Sequence, residues 1–236
     1  MKPTFLTAEW RHLIMANYIL DPEILKPHLP KGTELDFFNG KCYASMVGFM
    51  FLNTRIKGVK IPFHVNFEEV NLRFYVKRRT GDDWRRGVVF IKEIVPKPAI
   101  AWTARLLYRE KYVYHPMSHE VNWDNSYNAA YHWKYKGKWQ SLSATAALKG
   151  NPVRQDSEEM FITEHYYGYS AYSQEKTKEY HVDHPRWNVH KVTNYQLDAD
   201  ISSLYGPEFR ECISGKPASV FLLDGSEAKI LNGEFI

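Results

Sequence analysis

A stretch that alternates apolar and polar residues with a period of two constrains the fold more than any other feature of the chain. Within residues 65–78 the apolar positions are Val70, Leu72, Phe74 and Val76, and the polar positions are Glu69, Asn71, Arg73 and Tyr75. A period of two predicts a β-strand with one face in the core. The polar face either meets water, which is usual for antiparallel sheets, or lines a polar cavity.

Strand patterns dominate the rest of the chain. Further strands are predicted at residues 13–20, 43–52, 84–95, 112–121, 127–135, 139–147, 162–171, 178–184 and 187–197, with a last hairpin of 220–223 and 228–231 across Asp224-Gly225. Short helices are predicted after Asp21, Asp156 and Asp200, and a longer one after Pro98, with Ile100, Ala104, Leu107 and Tyr108 on one face. This pattern is typical of a mainly β (α+β) fold, an antiparallel β-barrel or double sheet with a few short helices, in a single domain over residues 1–236.

Composition argues against several classes of protein. The formal charge of +4 is too small to favour a nucleic-acid partner, and no apolar run is long enough to predict a membrane partner. The first ten residues lack the apolar centre of a signal peptide, and Cys42 and Cys212 lack metal or redox spacing. We therefore expect a cytoplasmic protein, in which an exposed sheet edge would allow a homo-oligomer.

Aromatic residues make up 15% of the chain. Aromatic side chains favour strands and line concave sites, so this share favours both a sheet and a small-molecule pocket. The simpler interpretation is that they fill the core of the sheet.

Lys97 is the first candidate for chemistry, because it lies between Pro96 and Pro98, where a strand gives way to a helix. The positive end of the helix dipole and an apolar cavity would both disfavour its ammonium form, and a neutral amine can form a Schiff base. Glu93 is predicted on one strand face with Val89, Ile91 and Val95, where a buried carboxyl could pair with a cation or donate a proton. The simpler interpretations are an exposed turn lysine and a structural ion pair.

Polar residues suited to ligand binding concentrate in three segments. They are Asn71 and Arg73 on the alternating strand, Glu164, His165 and Tyr167 on a later strand, and His184 and Arg186 beyond its partner. A guanidinium can hold a carboxylate ligand, and the other groups suit the wall of a polar pocket.

No metal or cofactor is predicted. His115 and His119, and likewise His181 and His184, have spacings found in metal ligands. Those spacings suit one face of a helix, whereas both pairs fall in predicted strand or loop.

Several segments resemble the YqjF-like family. They are FLTAEWR at 5–11, Asp21-Pro22, LPKGT at 29–33, VNFEEVNLR at 65–73, GVVF at 87–90, ITEHY at 162–166 and HPRW at 184–187. That family is uncharacterised and is grouped by fold with acetoacetate decarboxylase. The resemblance covers nearly the whole chain and implies a barrel-like double sheet around a small-molecule cavity.

The resemblance also implies roles for single residues. Acetoacetate decarboxylase has an aromatic-x-Glu pattern on a strand, which Phe67-Glu68-Glu69 resembles, and this points to Glu69. Its Schiff-base lysine follows a proline, as Lys97 follows Pro96, but a second lysine comes next where this chain has Pro98.

Three functions stay open. The first is a protein that binds a small acid or carbonyl compound. The second is a Schiff-base lyase, similar to the decarboxylase, in which Lys97, Glu69 and Glu93 act on a small oxo acid. The third is an interaction module that uses exposed aromatic residues. Binding ranks slightly above catalysis, because Pro98 replaces the cation that would depress the pKa of the reactive lysine.

Overall fold

The computed structural model describes residues 2–236, apart from the side chains of Ala104, Leu107 and Tyr108. Part of the predicted apolar face of the helix after Pro98 therefore lies outside the described residues. Strands and short helices alternate as the sequence predicts.

The strands are β1 (Thr4–Leu20), β2 (Glu34–Leu35), β3 (Phe37–Phe38), β4 (Lys41–Ile56), β5 (Phe67–Thr80), β6 (Asp83–Val95), β7 (Tyr112–Tyr114), β8 (Met117–Asn122), β9 (Tyr127–Tyr135), β10 (Lys138–Pro152), β11 (Tyr167–Ala171), β12 (Thr177–Asp183), β13 (Asn188–Asp198), β14 (Ser219–Leu231) and β15 (Glu234–Phe235). The α-helices are α1 (Pro22–Leu25), α2 (Pro98–Tyr108), α3 (Glu158–Thr163), α4 (Ile201–Tyr205) and α5 (Arg210–Ser214), and 3-10 turns cover Lys26–His28 and Pro207–Phe209.

One mixed sheet contains all of these strands. Its main path runs β15-β12-β11-β6-β5-β4-β1-β14-β13-β10-β9-β8, and two residue pairs between β12 and β14 bring distant parts of the path together. Most neighbours are antiparallel, but β6 pairs in parallel with both β7 and β11. The predicted mainly β fold with few short helices is confirmed, while the sheet is less regular than an antiparallel barrel.

The alternating strand β5 separates two cores. Its apolar side packs into one large cluster with Ile14, Phe74 and Trp133, and Tyr75 on the other side belongs to a second cluster with Val47 and Phe161. The polar side of β5 therefore faces the interior of the protein, which decides between the two environments that the sequence left open.

A β-bulge in β6 changes one predicted face. The pairing with β5 runs Leu72 with Lys92 and then Arg73 with Phe90, so Ile91 is the extra residue. A bulge moves the following side chains to the opposite face. As a result Glu93 lies with Val95 but not with Val89 and Ile91, which pack into the first cluster.

Three local predictions were wrong. The last hairpin is a single strand, β14, because β1 pairs with it on both sides of Gly225 and overrides the Asp-Gly turn signal. The cap of α3 is Ser157, whose side chain accepts from the Met160 N–H, and the helix extends into the predicted strand at residues 162–171. The predicted strand at 112–121 is divided into β7 and β8.

The caps of α1 and α4 and the start of α2 after Lys97 agree with the predictions. Asp21 and Asp200 accept hydrogen bonds from backbone N–H groups of α1 and α4, and Lys97 is the N-cap of α2. In the described part of the chain, no helix is long and apolar enough to cross a membrane.

Candidate functional site

Two adjoining cavities lie on the polar side of β5. The first, the outer chamber, has a volume of about 410 Å³ and is lined partly by exposed residues such as Ile61 and Thr103. Apolar side chains cover most of it, and they are Phe5, Leu6, Phe51, Ile56, Ile61, Phe67, Ala99, Ile100 and Ile230. Such a lining suits the apolar body of a small molecule.

The second cavity, the inner chamber, has a volume of about 70 Å³. Asn71, Arg73 and Glu69 line it from β5, and His165, Tyr167 and His184 line it from the opposite side. The two chambers share the lining residues Phe51, Glu93, Tyr112, Tyr180 and Ile230, so they adjoin. The inner chamber is therefore the polar end of a mainly apolar space.

Three buried carboxyl groups, Glu69, Glu93 and Glu110, lie where the chambers meet, and we call them the acidic cluster. Their residues are only 2%, 2% and 8% exposed. The Tyr112 hydroxyl donates to Glu69 Oε2 at 2.9 Å, and Asn71 Nδ2 donates to Glu69 Oε1 at 2.8 Å. The acidic cluster therefore combines carboxyl groups with hydrogen-bonding partners in a space of low polarity.

Burial raises the pKa of all three carboxyl groups. It raises the pKa of Glu69 to about 7, although hydrogen bonds from Asn71 and Tyr112 act in the opposite direction. Burial likewise raises the pKa of Glu110 to about 8, opposed by a hydrogen bond from Tyr180. The pKa of Glu93 rises well above its usual range through burial and then through the charges of Glu110 and Glu69. Glu69 and Glu110 can therefore hold or release protons near neutral pH.

Some buried polar atoms of the chambers have no hydrogen-bond partner among the described residues. Three are oxygens, Asn71 Oδ1, Glu93 Oε2 and Glu110 Oε1, which we call the open acceptors. Two are nitrogens, Trp10 Nε1 and Arg73 Nε, which we call the open donors and which line the inner chamber. The Thr54 hydroxyl and His165 Nδ1 also lack a hydrogen-bond partner, and each can either donate or accept a hydrogen bond. Buried polar atoms of this kind are sites for a ligand or water.

The predicted histidines and tyrosine of the inner chamber are held by different neighbours. His165 Nε2 lies 3.1 Å from Asp36 Oδ2, and burial lowers the pKa of the His165 imidazole. The His184 ring stacks on Trp187 with a centroid distance of 4.2 Å, and burial lowers its pKa as well. Arg85 lies over the Tyr167 ring. Neutral imidazoles in these positions can complete a polar wall.

The structure leaves three predicted site residues outside the chambers. Lys97 is half-buried at the start of α2, and its residue does not belong to the described lining of either chamber. Glu164 and Arg186 form an ion pair with each other at 2.6 Å. The other predicted residues are brought together: Glu69, Asn71, Arg73, Glu93, His165, Tyr167 and His184.

Sequence reasoning missed Glu110, Tyr112 and Tyr180. Glu110 follows the end of α2 in a short connection, where a charged residue is normally solvated, so no local pattern indicates its burial. Tyr112 begins β7, which pairs in parallel with β6, and Tyr180 lies in β12, which pairs with β11 and β14. Only alternation within each strand could have suggested which way these side chains point.

The histidines considered as metal ligands contact other side chains, and the rings of His181 and His184 pack against Tyr167 and Trp187. His119 Nδ1 lies 2.6 Å from Glu68 Oε1, and the ring of His115 packs against Tyr135. Among the residues that the structure describes, no group of three or more His, Cys, Asp or Glu side chains is arranged to hold a metal ion.

Comparison with known proteins identifies the protein family that this chain matches. The model of the DUF2071 family, described as an uncharacterized conserved protein, matches residues 7–227. The uncharacterized protein YqjF of Bacillus subtilis (strain 168) is 29% identical over 190 residues, which are 75% of this chain and 72% of YqjF. The predicted resemblance to YqjF-like proteins is confirmed.

Solved structures share the fold at low sequence identity. Acetoacetate decarboxylase from Legionella pneumophila superposes with a TM-score of 0.67 and 14% identity, covering 98% of this chain and 87% of that one. The enduracididine biosynthesis enzyme MppR with bound HEPES has a TM-score of 0.67 and 10% identity, with 100% and 88% covered. MppR complexed with pyruvate has a TM-score of 0.65 and 11% identity, with 100% and 91% covered. The fold is therefore the one that acetoacetate decarboxylase adopts.

Proposed function

This chain belongs to the DUF2071 family, and for this member we propose that the two chambers together bind one small organic acid with an apolar body. The observation that carries the proposal is the position of Arg73, whose open Nε lines the inner chamber at the polar end of an apolar space. A guanidinium is the strongest carboxylate-binding group that proteins possess. The Trp10 indole N–H lines the same chamber as a second donor.

The volumes support a division of the ligand between the chambers. The inner chamber, at about 70 Å³, has the space of roughly two water molecules, which suits a carboxylate group. The outer chamber, at about 410 Å³, lies within the range of roughly 300–1,000 Å³ that is usual for small-molecule sites. A carboxylate next to Arg73 would thus place its apolar body among the aromatic and aliphatic residues of the outer chamber.

The fold relatives are consistent with a small acid as the ligand. MppR, which shares the fold over the whole chain, has been solved in complex with pyruvate. In this chain the proposal depends on Arg73 and on the joined chambers, since the sequence identity to MppR is only 11%.

Binding can be measured by calorimetry with acids that share one apolar body. We would use hydrocinnamate, phenylpyruvate and phenylalanine, and a second set of isocaproate, ketoisocaproate and leucine. Arg73→Gln should weaken every acid that binds by at least about tenfold, because a charge-assisted contact to the carboxylate is lost. The matched control is Arg79→Gln, since Arg79 is exposed and donates to the Gly81 carbonyl of the same hairpin. The proposal fails if no acid of either set binds, or if Arg73→Gln binds as well as Arg79→Gln.

A second candidate function is Schiff-base chemistry on an oxo acid with Lys97 as the amine. It is favoured by Glu69, whose pKa of about 7 suits proton transfer near neutral pH. The described lining of both chambers contains no lysine, which supports binding over catalysis.

Borohydride reduction in the presence of pyruvate, followed by intact-mass measurement, tests the second candidate. An adduct that disappears in Lys97→Ala but survives in Lys111→Ala would establish the reactive amine. An adduct that survives in Lys97→Ala, or no adduct at all, would dismiss Lys97 as the reactive group.

A further inference from the structure

The open donors lie only in the inner chamber, whereas the open acceptors extend from the inner chamber, at Asn71 and Glu93, into the outer chamber, at Glu93 and Glu110. The open donors, Trp10 Nε1 and Arg73 Nε, belong to the inner chamber. Two open acceptors, Glu93 Oε2 and Glu110 Oε1, belong to residues that line the outer chamber. When the carboxyl groups are ionised, a ligand that satisfies both groups presents acceptors at its inner end and donors further out.

The geometry of β5 and β6 places the two groups next to each other. Asn71 pairs directly with Glu93 across the two strands, and Arg73 is the next residue along the same face of β5. Residues two apart on one strand are separated by roughly 7 Å. The open acceptor of Asn71 therefore lies between the open donors and the acidic cluster. The donor groups of a ligand must then be only a short distance from the acceptor group that contacts Arg73.

Aromatic side chains surround the acidic cluster. Phe51, Phe67, Tyr112 and Tyr180 line the outer chamber together with Glu93 and Glu110. Aromatic faces attract a cation, and carboxylates accept its hydrogen bonds. Rings combined with acceptor oxygens in one apolar space favour an ammonium group over an anion or a neutral oxygen.

The charges around the acidic cluster balance when every group is ionised, which favours a ligand without net charge. Besides Glu69, the groups that face Glu93 and Glu110 are Tyr112, Tyr180, Lys111 and Lys178, and His64 lines the outer chamber from the loop before β5. Lys111 faces Glu93 and Glu110, Lys178 faces Glu110, and Arg73 faces Glu69, so three cations stand against three carboxyl groups. With Arg73 at the inner end, the fully ionised site is electrically neutral and matches a ligand that carries both a carboxylate and an ammonium.

We propose that the ligand is a zwitterionic amino acid with an apolar side chain. Its carboxylate lies against Arg73, its ammonium donates to the acidic cluster and Asn71, and its side chain fills the outer chamber. The inference rests on the proposed binding of an acid and adds the class of that acid.

Matched ligands test this class directly. Phenylalanine, phenylpyruvate, hydrocinnamate and phenethylamine share one apolar body and differ in the groups that meet the two ends of the site. At about pH 8, where Glu110 begins to ionise, we expect phenylalanine to bind at least about tenfold more tightly than each of the other three. Phenylpyruvate and hydrocinnamate then offer no ammonium to the carboxylates, and phenethylamine offers no carboxylate to Arg73. Leucine, ketoisocaproate, isocaproate and isopentylamine repeat the comparison with a smaller body.

The pH dependence of binding has opposite signs for the two ligand classes. Burial raises the pKa of Glu110, and burial together with neighbouring carboxylates raises that of Glu93, so an ammonium must displace protons from the acidic cluster. Amino-acid affinity should therefore rise between about pH 6 and about pH 8, with proton release visible by calorimetry in two buffers. An oxo acid would accept from the protonated carboxyl groups, and its affinity should fall over the same range.

Two variants connect the effect to the acidic cluster. Glu93→Gln and Glu110→Gln should weaken phenylalanine by about tenfold more than they weaken hydrocinnamate, since only the amino acid presents an ammonium. The control is Glu68→Gln, on the opposite face of β5, where the carboxylate contacts His119. If a glutamine variant does not fold, the ligand comparison on the unmodified chain still decides.

The outcomes separate the two proposals. If phenylpyruvate or hydrocinnamate binds as tightly as phenylalanine, the amino-acid inference is wrong and acid binding stands. If none of the acids in either set binds, both proposals are wrong. If phenethylamine binds as tightly as phenylalanine and Arg73→Gln has no effect, the carboxylate site is wrong and both proposals fail with it.

Discussion

Two buried acidic regions of this protein contain the same type of side chain in opposite states. Glu179, only 1% exposed, receives hydrogen bonds from Arg78 at 2.9 Å and from Arg85. Glu93 and Glu110 are 2% and 8% exposed, and each has an open acceptor oxygen facing the chambers. Burial is therefore similar in the two regions, whereas charge compensation differs.

The difference shows what each region can do. A buried carboxylate between two guanidinium groups has its charge compensated within the protein, and here the contact joins β5, β6 and β12. No uncompensated charge then remains for a ligand to neutralise. A buried carboxyl without such partners keeps its proton and destabilises the folded state when it ionises. This contrast is the reason that we propose the acidic cluster, and not Glu179, as part of a binding site.

The largest effect is expected at the compensated region. Glu179→Gln should lower the free energy of unfolding by about 2–4 kcal/mol, because two partly buried guanidinium groups lose their counter-charge. Chemical denaturation at neutral pH measures this loss. Glu234→Gln is the control, since Glu234 contacts Arg85 at 3.8 Å but is 46% exposed, and it should cost at most about 1 kcal/mol. Equal losses of unfolding free energy in Glu179→Gln and Glu234→Gln would contradict the view that the buried Glu179 is compensated by both arginines.

An effect of opposite sign is expected in the acidic cluster. The pKa of Glu110 is about 8 when folded, against an ordinary value of 4.5, so the folded state binds its proton more tightly than the unfolded state does. Stability should therefore fall as pH rises from 4.5 towards 8. Glu110→Gln, which stays neutral, should gain about 1–3 kcal/mol over the unmodified chain at the upper end of that range.

The comparison over pH needs denaturation curves at several values. Glu120→Gln serves as the control, because the Glu120 side chain is 84% exposed, and it should follow the unmodified chain at every pH. A constant difference between Glu110→Gln and the unmodified chain from acid to neutral pH would show that Glu110 ionises as freely as a surface residue.

The smallest effect is expected at Glu69 of the acidic cluster. Its two oxygens accept hydrogen bonds from neutral groups, so it is better compensated than Glu93 and Glu110 but less than Glu179. Tyr112→Phe removes the hydroxyl that donates to Glu69 Oε2, so it should raise the pKa of Glu69 above about 7 and cost about 0.5–1.5 kcal/mol of stability. NMR titration of the glutamate carboxyl carbons gives the pKa. Tyr114→Phe, on the same strand but 47% exposed, should leave it unchanged. An unchanged pKa of Glu69 in Tyr112→Phe would show that the Tyr112 hydroxyl does not donate to Glu69.

Local patterns predicted most of the elements. The alternation in β5, the N-caps at Asp21 and Asp200 and the helix after Pro98 all depend on neighbours within a few residues, and all are found. The hairpin at Asp224-Gly225 failed because the whole of β14 pairs with β1, more than two hundred positions away in the chain. Turn propensity is weaker than a ladder of hydrogen bonds supplied by a partner strand.

The candidate site was predictable only in part, for a similar reason. Glu69, Asn71, Arg73 and Glu93 were predicted as site residues and do line the inner chamber. Glu93 reaches it by way of a bulge at Ile91 that no residue pattern indicated. Glu110 and Tyr180 come from a connection and a distant strand, so their contribution depended on the order of strands in the sheet.

By itself, the sequence determined that the chain forms strands, where most of them lie and that one polar row would follow β5. Those properties depend on the period of the side chains and on turn and cap residues, which act over short distances. Only the tertiary structure decided that this row is covered and that three carboxyl groups meet, two of them with an unsatisfied oxygen. Burial depends on what packs opposite a residue, and here that partner comes from β6, β7 and β12, whose placement no local pattern specifies.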